Sequence, residues 1–330
     1  MKSSRGFLLA ASGCVAVVAV FQLWTFFAEP KYQGAGLNAW MMRLQQENQD
    51  ERTMAQAALR AMGKSAVPPL TGMLEKRDSA FKRKIAVYAP RFPVLYWLLR
   101  QDDSALDRGY AASALGEIGP AASNAIPALL RVCALTNSQV SRTFICPKAK
   151  AALMKIRGEP LGPLVGELEG ENASSAEWGC TARALLEFGT NAAPAVPVFC
   201  RALKFPNFRV RNFAAYALGH IHGQAELAVP ALMESIRRGV SQNDAWALGE
   251  FGAEAKPAVP ILESHLQDSE PKVCVEILRT LRRIVPKSEA KTLVPILLET
   301  LKDQSDGVRA EAGNMLKEID PEAAAKAGVK

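Results

Sequence analysis

The chain has 330 residues, of which 49% are hydrophobic and only 7% aromatic, and its formal net charge is +7. A positive charge of this size is ordinary for a soluble protein, and the chain contains no long block of like charge. The charge therefore gives no support to nucleic-acid binding. A chain of this length is near the usual size limit for a single compact core. A protein built from repeats stacked along one axis is not subject to that limit.

Residues 1–28 are predicted to form a membrane segment. Lys2 and Arg5 precede an uncharged run over 6–28, which is long enough for a helix to cross the hydrocarbon layer. Because positive charge stays in the cytoplasm, we predict a single-pass anchor in the inner (cytoplasmic) membrane, with the remaining chain facing the periplasm. Secretion after signal cleavage is the alternative, but the bulky Phe26 stands where a cleavage site prefers a small residue.

Residues 29–49 are expected to form a linker and an N-terminal capping helix. The linker contains proline and glycine, and Trp40, Met41 and Leu44 then follow a helical spacing. A terminal repeat must cover an otherwise exposed apolar face, so this helix is expected to cap the repeats that follow.

A repeated unit fills residues 50–330, and its clearest marker is a proline at the start of a second helix. After the first interval these prolines lie 34, 36, 34, 33, 30 and 35 residues apart. They are Pro68, Pro93, Pro127, Pro163, Pro197, Pro230, Pro260 and Pro295. A leucine near the end of each first helix keeps the same register: Leu59, Leu115, Leu153, Leu185, Leu218, Leu248, Leu281 and Leu316. Proline in the first turn of a helix loses no hydrogen bond, so each unit reads as a helical hairpin.

Two sets of glycines support the hairpin interpretation. One set is expected to end the first helix in the left-handed conformation: Gly119, Gly189 and Gly252. The other set lies inside that helix, where each glycine costs about 1 kcal/mol relative to alanine: Gly116, Gly219 and Gly249. We expect a neighbouring helix to approach closely at the second set. The predicted fold is all-α, a right-handed α-solenoid of about eight helical hairpins behind an N-terminal transmembrane helix.

Two stretches of the sequence resemble the HEAT-repeat family, in the short bacterial form that is similar to the repeats of phycobilin lyases. They are VRNFAAYALGHI at 210–221 and VRAEAGNMLKEI at 308–319, and the resemblance extends over about 50–325. It implies an α-solenoid of HEAT-like hairpins whose concave face docks other proteins. No catalytic motif of an enzymatic relative is recognisable, so lyase activity is not carried over.

The sequence offers little chemistry of its own. His220 and His222 stand two apart on a helix and point away from each other, so we predict no metal site. His220 occupies the register that Glu117, Glu250 and Glu318 fill in other units, which we interpret as a solvated ladder rather than as paired catalytic carboxylates. We therefore predict that the chain is not an enzyme and has no cofactor.

A basic and aromatic cluster at 82–97 is the best local indication of a protein-binding surface. Its candidate residues are Lys82, Arg83, Lys84, Arg91, Tyr96 and Trp97. The competing interpretation is that the aromatic residues fill the core of a degenerate repeat while the charges are solvated.

The cysteines can oxidise if the repeats are exported. Cys180 and Cys200 lie on either side of a hairpin turn, which is compatible with one disulfide. Cys133 and Cys146 bracket a loop and could close it with another. In the alternative interpretation all of them are small buried hydrophobic residues.

These observations predict a membrane-anchored scaffold that binds one or more protein partners on the exported side of the membrane. We expect no nucleic acid and no small-molecule substrate. The alternatives are a lyase-like HEAT enzyme or enzyme subunit that handles a prosthetic group, and a HEAT solenoid that binds nucleic acid.

Overall fold

The computed structural model describes residues 30–46, 48–75, 104–134, 141–169, 176–267 and 270–329. These residues form α-helices that pair into hairpins with a solenoid-like packing, which confirms the predicted all-α class. The chain divides into two compact units, Met1–Pro160 and Leu161–Lys330. The handedness and the number of hairpins stay predictions.

The predicted membrane segment 1–28 lies outside the described residues. Within the part of the chain that the structure describes, no helix is both long enough and apolar enough to cross a membrane.

The first unit contains a small hairpin of two strands followed by helices. Its elements are β1 (Lys31–Tyr32), β2 (Ala35–Gly36), α1 (Leu37–Arg43), α2 (Gln49–Met62), α3 (Val67–Glu75), α4 (Ser104–Ile118), α5 (Ile126–Ala134) and α6 (Cys146–Arg157). A π-helical turn over Ser141–Ile145 precedes α6.

The second unit consists of helices throughout its described residues. They are α7 (Gly162–Leu168), α8 (Ala176–Leu186), α9 (Val196–Ala202), α10 (Phe208–Ile221), α11 (Ala225–Arg237), α12 (Gln242–Glu250), α13 (Val259–Ser264), α14 (Pro271–Ile284), α15 (Val294–Thr300), α16 (Asp306–Ile319) and α17 (Pro321–Lys326). The first helices of its hairpins, α8, α10, α12, α14 and α16, each carry one of the recurring leucines.

The β-hairpin lies in a segment where the sequence indicated only a linker. Gln33 and Gly34 both have positive φ, 49° and 78°, as the tight turn of a two-residue hairpin requires. The indole nitrogen of Trp40, on α1, donates to the carbonyl oxygen of Tyr32 at 3.2 Å. Trp40 is only 3% exposed, so the β-hairpin and α1 form one packed cap.

The leucine and proline markers have the roles that their spacing predicted. Every recurring leucine is buried, and the described prolines occupy the first turn of their second helices, with one exception. Pro230 lies inside α11, because that helix begins at Ala225, straight after Gln224 in a left-handed conformation with φ 51°.

In five of the described hairpins the connection between the two helices is a short 3₁₀ helix rather than the polar turn that the sequence indicated. Three of these connections are seven residues long: Gly119–Ala125, Gly189–Ala195 and Gly252–Ala258. Each begins with a glycine of positive φ, 70°, 54° and 54°, which confirms the predicted caps. Each also ends in a fully buried alanine, so the connection is part of the core.

Hydrogen bonds between successive repeats confirm the period read from the sequence. In the second unit Asn243 Nδ2 donates to the carbonyl of Asn212, 31 residues away. Thr280 Oγ1 donates to the carbonyl of Ala245, 35 residues away, at 2.8 Å. Equivalent positions of neighbouring hairpins therefore lie side by side.

In the first unit, two hairpins that are separated in sequence are direct neighbours. The guanidinium of Arg60, on α2, donates to the carboxylate of Glu117, on α4, at 3.3 Å. Arg131, on α5, pairs with Glu75, on α3. The predicted hairpin around Pro93 lies outside the described residues, and the helices on either side of that stretch pack against each other.

The glycines inside the first helices lie where neighbouring helices approach, as predicted. A Cβ added at Gly116 would lie 3.0 Å from the Cα of Ala152, and one at Gly219 would lie 3.0 Å from the Cα of Ala247. Because real Cβ atoms rarely come so close to backbone, only glycine permits this helix spacing.

Candidate binding surface on the first helices

The six residues proposed from the sequence as a protein-binding surface lie outside the described residues. They are Lys82, Arg83, Lys84, Arg91, Tyr96 and Trp97. The structure has a different candidate surface in the second unit, where no sequence motif predicted one.

Aromatic side chains form a partly exposed row on two successive first helices of the second unit. Phe213, Tyr216 and His220 lie one turn apart on α10, and Trp246 lies on α12. The ring of Tyr216 stacks on that of Trp246, with centroids 5.5 Å apart and planes 27° apart. His220 packs against both rings, at 4.2 Å and 5.0 Å. We call these four residues the aromatic platform.

The missing side chain of Gly219 lets Trp246 lie flat against α10. A Cβ at Gly219 would come 2.5 Å from Cζ3 of the indole. The start of α12 is set by a capping box, in which the Ser241 hydroxyl accepts from the Asp244 amide and Asp244 Oδ2 accepts from the Ser241 amide. Burial raises the pKa of Asp244. Trp246 follows two residues after Asp244, so the capping box fixes the first turn of the helix that carries it.

We predict that Gly219→Ala distorts the platform and lowers the free energy of unfolding by about 1–3 kcal/mol, because the added methyl overpacks the contact between α10 and α12. Urea denaturation and the tryptophan fluorescence of the folded protein would measure both effects. Gly166→Ala, in α7, is the matched control: a Cβ there meets nothing within 4 Å, so helix propensity should make it neutral or stabilising by up to about 1 kcal/mol. Equal destabilisation by both variants would contradict the packing explanation.

One arginine adjoins the platform without a carboxylate partner among the described residues. The guanidinium of Arg183, on α8, lies 4.7 Å from the ring centroid of Phe213. Trp178 supports Phe213 from behind, edge-on at 6.2 Å, and is itself buried. Arg183 is half-buried, so a cation is held at one end of the aromatic row.

The arginines on the far side of the platform are already paired. Arg283 donates to Glu250 at 2.7 Å, and Arg279 lies 3.6 Å from Glu311. These pairs join first helices of successive hairpins, so their charges are neutralised within the fold.

The platform has a sequence signal that could have revealed it. Arg183, Tyr216, Trp246 and Arg279 each stand two residues before a recurring leucine. Reading one register position across successive units places these side chains in a row, whereas reading along the chain scatters them. Clusters of neighbouring residues along the chain therefore do not reveal the row.

The rings of His220 and His222 lie against different neighbours. His222 ends α10 in a left-handed conformation with φ 50°, and its ring packs on Phe251 at 5.3 Å. His220 belongs to the platform, so the two rings face different neighbours. No group of three or more His, Cys, Asp or Glu side chains suited to a metal ion occurs within the described ranges.

The glutamate ladder is only partly solvated. Glu117 is 8% exposed and accepts hydrogen bonds from Lys155 at 2.7 Å and from Arg60 at 3.3 Å, whereas the side chain of Glu318 is 64% exposed. The interpretation of Glu117 as a solvated residue is therefore wrong. Lys155 and Arg283 occupy the same register one unit after Glu117 and Glu250, so acidic and basic residues meet across the repeat.

Cys133 and Cys146 lie together at the ends of α5 and α6. The sulfur of Cys133 is 3.9 Å from the carbonyl oxygen of Cys146. A hydrogen bond with the Cys146 thiol is the largest cause that raises the pKa of Cys133, and burial is the second. Neither sulfur is in a disulfide bond in the structure, and the disulfide between them stays a prediction.

Cys180 and Cys200 are also not in a disulfide bond in the structure. The sulfur of Cys200 lies 3.7 Å from the carbonyl oxygen of Leu227 in the following hairpin, whereas Cys180 is on the preceding helix α8. Burial raises the pKa of Cys200 to about 11, so this thiol is protonated and unreactive at neutral pH. A disulfide between Cys180 and Cys200 stays a prediction.

Comparison with known proteins confirms the resemblance to HEAT repeats. The sequence model of the PBS lyase HEAT-like repeat matches residues 107–134, which cover most of the hairpin formed by α4 and α5. No curated protein matches the chain.

Two solved structures are similar to the chain over most of its length. Human deoxyhypusine hydroxylase, in complex with glycerol, is 20% identical over 87% of this chain and 96% of its own, with a TM-score of 0.30. An engineered protein is 18% identical over 86% of this chain and 96% of its own, with a TM-score of 0.24. These TM-scores are too low to transfer a site.

The prediction that the chain is not an enzyme is corrected by the first of these similarities. Deoxyhypusine hydroxylase is an enzyme, so the expectation that the chain is not an enzyme is not carried forward.

Proposed function

We propose that this chain is a HEAT-like repeat scaffold that binds a protein partner through the first helices of its second unit. The observation that carries the proposal is the aromatic platform, in which Tyr216 and Trp246 stack while both remain partly exposed. Aromatic residues and arginine dominate binding energy at protein interfaces, because they bury a large area at a low cost in conformational entropy.

The row is built for contact along several repeats. The aromatic platform lies on α10 and α12, and Arg183 lies beside it on α8. A partner that lies across the helices would therefore touch all three. The close approach at Gly219 narrows the spacing between α10 and α12, which makes the aromatic surface continuous.

The proposal also places the scaffold at a membrane. Lys2 and Arg5 ahead of the uncharged run 6–28 support an N-terminal anchor with the repeats on the exported side. The bound partner would then be an exported protein or the exported part of a membrane protein.

The test is site-specific photocrosslinking in membranes washed with alkaline carbonate, which retain only an anchored chain. Tyr216 is replaced by the photoreactive amino acid p-benzoylphenylalanine, and Leu298, which is 37% exposed on the second helix α15, serves as the control site. We expect a defined protein adduct from position 216 that is absent from position 298 and is lost when Trp246→Ala is added. Adducts of equal yield from both positions would refute binding at the platform, and loss of the chain in the wash would refute the anchor.

A further inference from the structure

The pairing of charges around the platform is asymmetric. Arg279 and Arg283 are each held by glutamates of neighbouring helices. Arg183 has the Phe213 ring as its contact and no carboxylate partner among the described residues. Stacking on Phe213 holds the planar guanidinium in place and leaves its edge N–H donors to bind a ligand.

We propose that Arg183 binds a carboxylate of the partner, and that the partner segment is an acidic peptide in which Asp or Glu stands two residues from an aromatic residue. This inference rests on the proposed function and names the chemistry of its partner. A guanidinium presents parallel N–H donors that match the two oxygens of a carboxylate.

The spacing of the two peptide residues follows from distances in the row. The guanidinium carbon of Arg183 lies 4.7 Å from the ring centroid of Phe213, which lies 6.0 Å from that of Tyr216, so the guanidinium and the Tyr216 ring are at most about 11 Å apart. In an extended peptide, residues i and i+2 point to the same side and lie about 7 Å apart. The side chains at these two positions can span the remainder, so a carboxylate bound at Arg183 leaves the second side chain within reach of Tyr216 and Trp246, where an aromatic ring can stack.

The same charges argue against a nucleic acid as the occupant. A polyphosphate backbone gains its affinity from several lysines or arginines at once, whereas among the described residues Arg183 is the one cation that contacts a ring of the platform.

The test measures fluorescence anisotropy of the full chain, in detergent, with labelled octapeptides in a Gly/Ser background. One peptide carries Glu and Phe two positions apart, and its partner carries Gln in place of Glu. We expect the Glu peptide to bind the wild-type chain more tightly than the Gln peptide. Arg183→Gln should weaken binding of the Glu peptide about tenfold, because a charged hydrogen-bonded pair is lost, and should leave the Gln peptide unchanged.

Control variants separate this inference from the proposed function. Trp246→Ala should weaken both peptides, and Arg237→Gln, an exposed residue of α11 paired with Glu234, should affect neither. Equal binding of the two peptides, no binding of the Glu peptide, or an unchanged affinity in Arg183→Gln would overturn the inference. In each of these cases the photocrosslink from position 216 would still decide the proposed function. Binding of a thymidine decanucleotide that depends on both Arg183 and Trp246 would overturn the peptide as the occupant.

Discussion

Phe199→Ala is expected to lower the free energy of unfolding by about 3–5 kcal/mol, the range for removing a large aromatic side chain from a packed core. Phe199, on α9, is fully buried, and its ring packs edge-on against Trp178 at 6.4 Å. Truncation would leave a cavity and would also withdraw support from Trp178, which in turn contacts Phe213 of the platform.

Urea denaturation followed by the helical circular dichroism signal would measure this loss. Phe208→Ala is the matched control, because that side chain is 58% exposed and should change stability by no more than about 0.5 kcal/mol. Phe199→Leu, which keeps most of the volume, should cost less than Phe199→Ala. The assignment of Phe199 to the core would be wrong if the Phe199→Ala and Phe208→Ala variants lost the same stability.

Glu117→Gln is expected to lower the free energy of unfolding by about 2–3 kcal/mol. The carboxylate accepts from Lys155 and Arg60, and the side chain of Lys155 is 23% exposed. Removing the negative charge leaves a largely buried ammonium without its counter-charge, which typically costs 3–5 kcal/mol when both partners are fully buried. The partial exposure of Lys155 reduces that cost.

The control for this variant is Glu318→Gln, at the same register of the last hairpin. Its side chain is 64% exposed and its arginine lies 3.7 Å away, so the change should stay within about 0.5 kcal/mol. Replacing both members of the buried pair, with Glu117→Gln and Lys155→Met together, should recover part of the loss. If the double variant lost as much free energy of unfolding as the two single variants together, or more, Glu117 and Lys155 would not stabilise each other.

The register of Glu117 shows where sequence reasoning succeeded and where it stopped. Its position two residues after Leu115 correctly placed it at the end of a first helix beside the hairpin connection. Its burial could not be read from that position, because Glu318 shares the position and is exposed. The difference arises from neighbours: Glu117 has a first helix on each side, α2 and α6, whereas the hairpin of Glu318 is followed only by the short helix α17.

Local pattern was sufficient for the helical hairpins, although not for the β-hairpin at residues 31–36 or for the 3₁₀ connections. The recurring leucines and prolines gave the helical hairpins and their period, and the glycines of positive φ gave the ends of the first helices. These features follow from backbone conformation and from the helical spacing of apolar residues, both of which act within one repeat.

Only the tertiary structure decided which repeats touch and what their shared surfaces carry. It made the hairpins of α2 and α4 direct neighbours, although 28 residues separate α3 from α4 in the chain, and it turned aromatic residues of separate repeats into the platform. The physical reason is that a stacked repeat places residues about one period apart in contact, so its binding surface runs across the helices. The sequence alone determined the unit and its period, and the stacking of units determined which side chains could act together.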